Sequence, residues 1–162
     1  MSAKPGRPRH LDLWLVYVMA LAGGLPPRAV NALVMRLGLP ARDAAQITTG
    51  HGTASAILRR LTRRPPPKPS AIYCLLAGLG DETVCFLIAK ARPDSVRRRL
   101  LVHLACNQDV KLSLTGADLK ALGLKPGPRY KKILDRLLEA RLDGEVKSET
   151  DERKLVERLA RS

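Results

Sequence analysis

Leu114-Thr-Gly-Ala-Asp-Leu-Lys-Ala-Leu-Gly-Leu-Lys-Pro-Gly-Pro-Arg-Tyr130, running on through Ile133-Leu-Asp-Arg-Leu-Leu138 to Leu142-Asp-Gly144, reads as two helices joined by a tight basic hairpin. Thr115 can cap the first helix, and Asp118 three residues later supplies the returning carboxylate of a capping box. Gly123 suits a left-handed helix end, and Pro126 cannot continue the helix. Pro128 fits the first turn of the next helix, where its missing N–H costs nothing. A hairpin of this kind offers free backbone N–H groups and a helix N-terminus beside Lys125 and Arg129, an arrangement that attracts phosphate. On that reading a side chain at Gly123 or Gly127 would strain the turn or obstruct a close backbone approach.

Working outward, the periodicity is helical nearly everywhere, which predicts an all-α protein built as an array of short helices with a hairpin element at 115–142. Pro26-Pro27 open a helix with the stripe Val30, Leu33, Val34 and Leu37, stopped at Gly38. A short helix is expected over 41–49 and another over 54–64, the latter with Ile57, Leu58 and Leu61 on one side. Arg59, Arg60, Arg63 and Arg64 then fall together on its other side. Four like charges on one face disfavour an isolated helix, so a polyanionic ligand is one reading and a merely solvated face the other. Arg64-Pro-Pro-Pro-Lys-Pro69 must be stiff and extended, and divides the chain into an N-terminal segment, 1–68, and a C-terminal one, 69–162. Beyond it, Ser70 can cap a helix carrying Ile72, Leu75 and Leu76, broken at Gly78 and Gly80. Asp81 and Glu82 start the next, with Val84, Leu87, Ile88 and Ala91 inward. Pro93-Asp94 begin a helix with Val96, Leu100, Leu101 and Leu104 inward and Arg97, Arg98 and Arg99 outward. Ser148 and Asp151 announce the last helix, with Leu155, Val156 and Leu159 as its apolar stripe.

The phrase T-G-x-D-L-x-x-L-G-x-x-P-G-P over Thr115–Pro128, followed by an amphipathic helix ending in Leu142-Asp-Gly144, resembles the C-terminal body and tail of bacterial tRNA nucleotidyltransferases. These are the CCA-adding and A-adding enzymes, a family shared with bacterial poly(A) polymerases. The likeness is densest at Gly116, Asp118, Leu119, Gly123, Pro126, Gly127 and Pro128, and thinner around Pro69-Ser-Ala-Ile-Tyr-Cys-Leu-Leu76. It implies a module that holds the acceptor and T-arm duplex of tRNA by backbone and shape. The 3′ end would then reach a catalytic head that uses magnesium with ATP or CTP. That head's glycine-rich nucleotide loop and two aspartates one residue apart are not in this sequence, nor is the neck's Glu-Asp-x-x-Arg type of motif. Without paired carboxylates to hold two magnesium ions, no phosphoryl-transfer site is expected here, and no cofactor for this chain. Whether the ancestry is A-adding or CCA-adding is not legible.

Charge agrees with a nucleic-acid partner. The chain has 29 Lys+Arg against 15 Asp+Glu, a formal net charge of +14, which repels itself unless a polyanion offsets it. Residues 1–80 hold 11 basic and 2 acidic residues, and 81–162 hold 18 and 13, so the surplus lies mostly in the first half. Aromatic residues are only 3%, which argues against a base-stacking platform. Charge and helical phase nominate Lys125, the Gly127 backbone, Arg129, Lys132 and the arginine groups 59–64 and 97–99 as phosphate contacts. Two other readings stay open: a helix-hairpin-helix protein on duplex DNA, and a helical module docking an acidic protein, including its own missing head.

Cys74, Cys85 and Cys106 have no zinc or disulfide spacing and read as small core residues, reduced in a cytoplasmic protein. His10, His51 and His103 are scattered, with no nucleophile arrangement around them. Lys4, Arg7 and Arg9 precede the apolar run Leu13-Trp-Leu-Val-Tyr-Val-Met19, which imitates a secretory signal. Pro5, Pro8 and Asp12 are awkward for one, and the run is too short to span a bilayer, so a buried first helix is expected and no membrane partner.

Overall fold

The computed structural model describes residues 11–107, 110–121 and 127–161. Within them the chain is all-α, as its periodicity predicts, and no strand occurs among the described residues. Gly123, Lys125 and Pro126, the tip of the expected hairpin, lie outside the described residues, as do Lys4, Arg7, Arg9 and His10.

The helices are α1 (Leu13–Leu21), α2 (Pro27–Arg36), α3 (Ala41–Leu61), α4 (Pro69–Leu76), α5 (Asp81–Lys90), α6 (Asp94–Ala105), α7 (Gly116–Ala121), α8 (Pro128–Leu142) and α9 (Glu149–Arg161). Their buried apolar residues fall into two clusters. The first runs from Leu15 to Leu100 and centres on Met19, Ile47, Leu61, Phe86 and Leu87. The second joins Leu114, Leu119, Ile133, Leu137, Val146 and Val156 from α7 to α9. Among the described residues the principal contact between the two groups of helices is α4 against α8. The proline segment 65–67, entered through a cis Arg64–Pro65 bond, leads directly into α4.

Several expectations are corrected. The two helices expected over 41–49 and 54–64 are one helix of 21 residues. Gly50 does not interrupt it because it is a packing position: a Cβ there would come within 3.0 Å of the Thr83 methyl and 3.2 Å of Met19 Sδ. The missing side chain lets α3 press against α1 and α5. Because α3 ends at Leu61, Arg63 and Arg64 stand beyond it rather than on its face. Helix α1 is buried on one side only: Leu15 and Met19 are in the core, while Leu13, Trp14, Tyr17 and Leu21 are exposed. On α6, Leu101 is 47% exposed and His103, which the apolar stripe passed over, is buried with its ring edge-on to Tyr73. Cys74 and Cys106 are exposed thiols rather than core residues. No single helix among the described residues is long and apolar enough to cross a membrane.

Helix ends follow local chemistry where partners are close in sequence. Asp118 Oδ2 accepts the Thr115 N–H and hydroxyl, each at 2.7 Å, at the start of α7. Asp151 Oδ2 accepts from the Ser148 hydroxyl at 2.8 Å, and Ser148 Oγ accepts the Asp151 N–H at 3.2 Å, closing the reciprocal pair at α9. At the end of α8, Gly144 adopts φ 75°, a left-handed value at which a Cβ is strained. The Glu145 N–H then reaches Ala140 O at 2.9 Å and the Gly144 N–H reaches Arg141 O at 3.3 Å, a Schellman closure. Gly127 is different. Its backbone is fully extended (φ 168°, ψ −174°) with open space where a Cβ would stand, so a side chain there would strain nothing.

Asp143 and Glu152 serve partners far away in sequence. Ser70 does not cap α4 with its own hydroxyl. Its N–H and hydroxyl both donate to Asp143, each at 2.9 Å, so a residue 73 positions later caps that helix. Glu152 is fully buried in the second cluster and accepts the N–H groups of Ser113 and Leu114 at 2.9 and 3.0 Å. Its other oxygen lies 3.6 Å from Arg141, an ion pair without a direct hydrogen bond. A buried carboxylate is tolerable only with such partners, and this one pins the segment entering α7 onto α9.

Candidate nucleic-acid interface

Arg59 and Arg60 end α3, Arg63 and Arg64 follow it, and all four are exposed. The helix stops at Leu61 because the prolines beyond cannot donate to it, with Thr62 Oγ1 donating back to Arg59 O at 2.9 Å. The four guanidinium groups therefore spread around the end of one helix and the start of a stiff segment. Open grooves separate them. One is lined by Arg60, Arg63, Pro65 and Cys74, and a second by Arg63, Arg64, Pro93, Ser95 and Arg99. A third carries Arg59 and Arg92 at the rim of an apolar floor that includes Leu58 and Val96. Arg92 was not singled out in the sequence. Its signal is its place immediately before Pro93, at the turn between α5 and α6.

None of Arg59, Arg60, Arg63 and Arg64 has an acidic partner among the described residues, which is equally true of Arg28, Arg36, Arg92, Arg98 and Arg158; what distinguishes the four is that they fall within six residues. Elsewhere Arg97, Arg99, Arg129, Arg136, Arg141 and Arg153 are engaged. Arg97 bonds to Asp94 at 2.9 Å and to Ala91 O at 3.0 Å, and Arg99 donates to Leu61 O at 3.1 Å. The α6 trio thus divides: Arg97 ties the start of α6 to the end of α5, Arg99 braces α6 against the end of α3, and Arg98 is exposed. Arg99 is the member that the fold brings to the 59–64 group. Arg129 donates to Leu159 O and Ala160 O at 3.0 and 3.2 Å, compensating the C-terminal dipole of α9. Lys132 is exposed on α8, in the second group of helices. Lys125 lies outside the described residues. Gly127 is exposed at the start of α8.

The Glu82 carboxyl, on the far side of the first core, is pushed up by burial. Hydrogen bonds from its own N–H, from Gln46 Nε2 at 2.7 Å and from the Asp12 N–H outweigh that, so it sits below its ordinary range. Burial, with the charges of Asp81 and Glu82, pushes the Cys85 thiol up and away from reactivity. Among the described residues no group of His, Cys, Asp or Glu is arranged to hold a metal ion.

The chain is similar to the A-adding tRNA nucleotidyltransferase of Geobacter sulfurreducens (strain ATCC 51573 / DSM 12127 / PCA), at 35% identity over 156 residues. The match takes in 94% of this chain but only 18% of that protein's length. No family model matches the chain, and no solved structure matches it. The likeness extends well beyond the phrase at Thr115–Gly144 and includes the helices that carry the arginines.

Proposed function

We propose that this chain is an RNA-holding module of the tRNA nucleotidyltransferase kind, corresponding to body and tail, that grips the acceptor and T-arm duplex of tRNA. A catalytic part outside these 162 residues would add the nucleotide, with magnesium and ATP or CTP bound there. The relative's name makes A-addition the preferred chemistry for that part, and a cytoplasmic place of work follows from the same reading. One observation carries the proposal: Arg59, Arg60, Arg63 and Arg64, four arginines within six residues, stand exposed and without acidic partners among the described residues, beside a rigid segment. Unneutralised arginines held on a stiff support suit phosphate contacts, which position a duplex without reading its bases. The scarcity of aromatic side chains fits backbone recognition better than recognition of unstacked bases.

A helix-hairpin-helix protein for DNA would use the same charge. Competition separates the two. With labelled tRNA bound, unlabelled tRNA should displace it at lower concentration than a B-form DNA duplex of equal charge, because A-form shape and the 2′-hydroxyls are part of the recognition. DNA that competes equally well or better overturns the assignment.

A further inference from the structure

The junction between the two groups of helices is polar. Where α4 meets α8, an open groove is lined by Lys68, Ser70, Cys74, Arg136, Asp143 and Glu145, with the two apolar clusters on either side and Leu142, buried at the end of α8, in neither. A junction of this composition permits relative motion unless something pins it. Asp143 is placed to do so. Its side chain is 8% exposed. Oδ1 accepts the Ser70 N–H and Oδ2 the Ser70 hydroxyl, both at 2.9 Å, and the Lys68 ammonium lies 3.8 Å from Oδ2. Lys68 also lies 3.6 Å from Glu145, which Arg136 holds in turn at 2.8 Å. The Schellman turn at Gly144 fixes the carboxylate's direction, since it follows Asp143 with a left-handed residue and returns two N–H groups to α8. Helix α4 has Pro69 at its first position and no side-chain cap of its own, so the carboxylate that completes it comes from the other group of helices.

We infer that Asp143 is a positioning residue for RNA: by capping α4 from the end of α8 it sets the angle between the two groups of helices, so that one duplex lies across the connector arginines and the basic first turns of α8 together. The inference rests on the RNA-holding reading. The lengths agree with it. Helix α8 extends roughly 20 Å from Asp143 back to Pro128 at about 1.5 Å per residue, carrying Lys131 and Lys132 exposed near its far end. Its near end meets Lys68 and Ser70, at the far end of the connector that begins with Arg63 and Arg64. A rigid angle makes the second set of contacts intramolecular and multiplies affinity for a ligand long enough to reach both. A ligand that reaches only one set gains nothing from it.

The test compares intact tRNA with a short RNA hairpin whose stem is less than one helical turn, each bound to wild type, Asp143→Ala, Asp143→Asn and Ser70→Ala. Asp143→Ala should weaken tRNA binding by at least about tenfold, leave hairpin binding within about twofold, and broaden the small-angle scattering profile of the free chain. Asp143→Asn, which retains an acceptor for the Ser70 N–H, should fall between wild type and Asp143→Ala, and Ser70→Ala should lie closer to wild type. Equal loss for both RNAs, or tRNA affinity unchanged in Asp143→Ala, overturns the inference while leaving the RNA-holding reading in place. A wild-type chain that binds neither RNA overturns that reading itself, and the inference with it.

Discussion

At the scale of single residues, helix ends in the second half of the chain depend on carboxylates. The Ser148 hydroxyl, and the N–H groups of Lys147 and Ser148, hold the Asp151 carboxyl below its ordinary range. The Thr115 hydroxyl and N–H do the same for Asp118. A carboxyl depressed by folding contributes stability that is complete above its unfolded value and is lost as pH falls through its folded one. Both groups are exposed to solvent, so the contribution is screened and small. Thermal melts taken from neutrality to below about pH 4 should therefore show a steeper acid-side decline for wild type than for Asp151→Asn. Superimposable acid limbs would remove these caps from the account. The Thr115/Asp118 and Ser148/Asp151 pairs were legible in the sequence because donor and acceptor lie three residues apart. The Ser70–Asp143 pair was not, since 73 residues separate its members and nothing local distinguishes Asp143 from an ordinary helix-end carboxylate.

At the scale of elements, the gap between the helices expected over 41–49 and 54–64 holds Gly50 and Gly52. Gly50 and Gly52 both look like breaks, yet α3 runs through them, for different reasons. Gly50 is buried against Thr83 and Met19, whereas a Cβ at Gly52 would meet nothing within 4 Å. Gly50→Val should cost about 2 kcal/mol or more through overpacking between α1, α3 and α5. Gly52→Ala should stabilise the chain by about 0.5–1 kcal/mol, because alanine restricts the unfolded chain and suits a helix interior. Denaturant unfolding of the two variants checks this, and similar effects at both positions would contradict the packing described for α3. The arginines show the same limit of sequence reading. Helical phase places Arg97, Arg98 and Arg99 together, but only packing distinguishes the one tied to Asp94 and Ala91 from the one that braces Leu61.

At the scale of the whole molecule, the all-α class, the basic character and the likeness to a tRNA nucleotidyltransferase were all readable from periodicity, composition and the Thr115–Gly144 phrase. The grouping of the helices around two apolar clusters was not, because it depends on which faces meet. Packing also separates free charge from engaged charge: the arginines at 59–64 stand without acidic partners, while Arg129, Arg136, Arg141 and Arg153 hold helix ends and carboxylates. The central claim is that the free group holds the RNA backbone, and the salt dependence of tRNA affinity tests it most directly. With about five phosphates engaged, affinity should fall on the order of 10²–10³-fold between 50 and 200 mM salt. Replacing Arg59, Arg60, Arg63 and Arg64 together by glutamine should remove most of that slope while leaving the thermal melt nearly unchanged. A salt-insensitive wild-type complex, or a quadruple variant with the full slope, would contradict the claim.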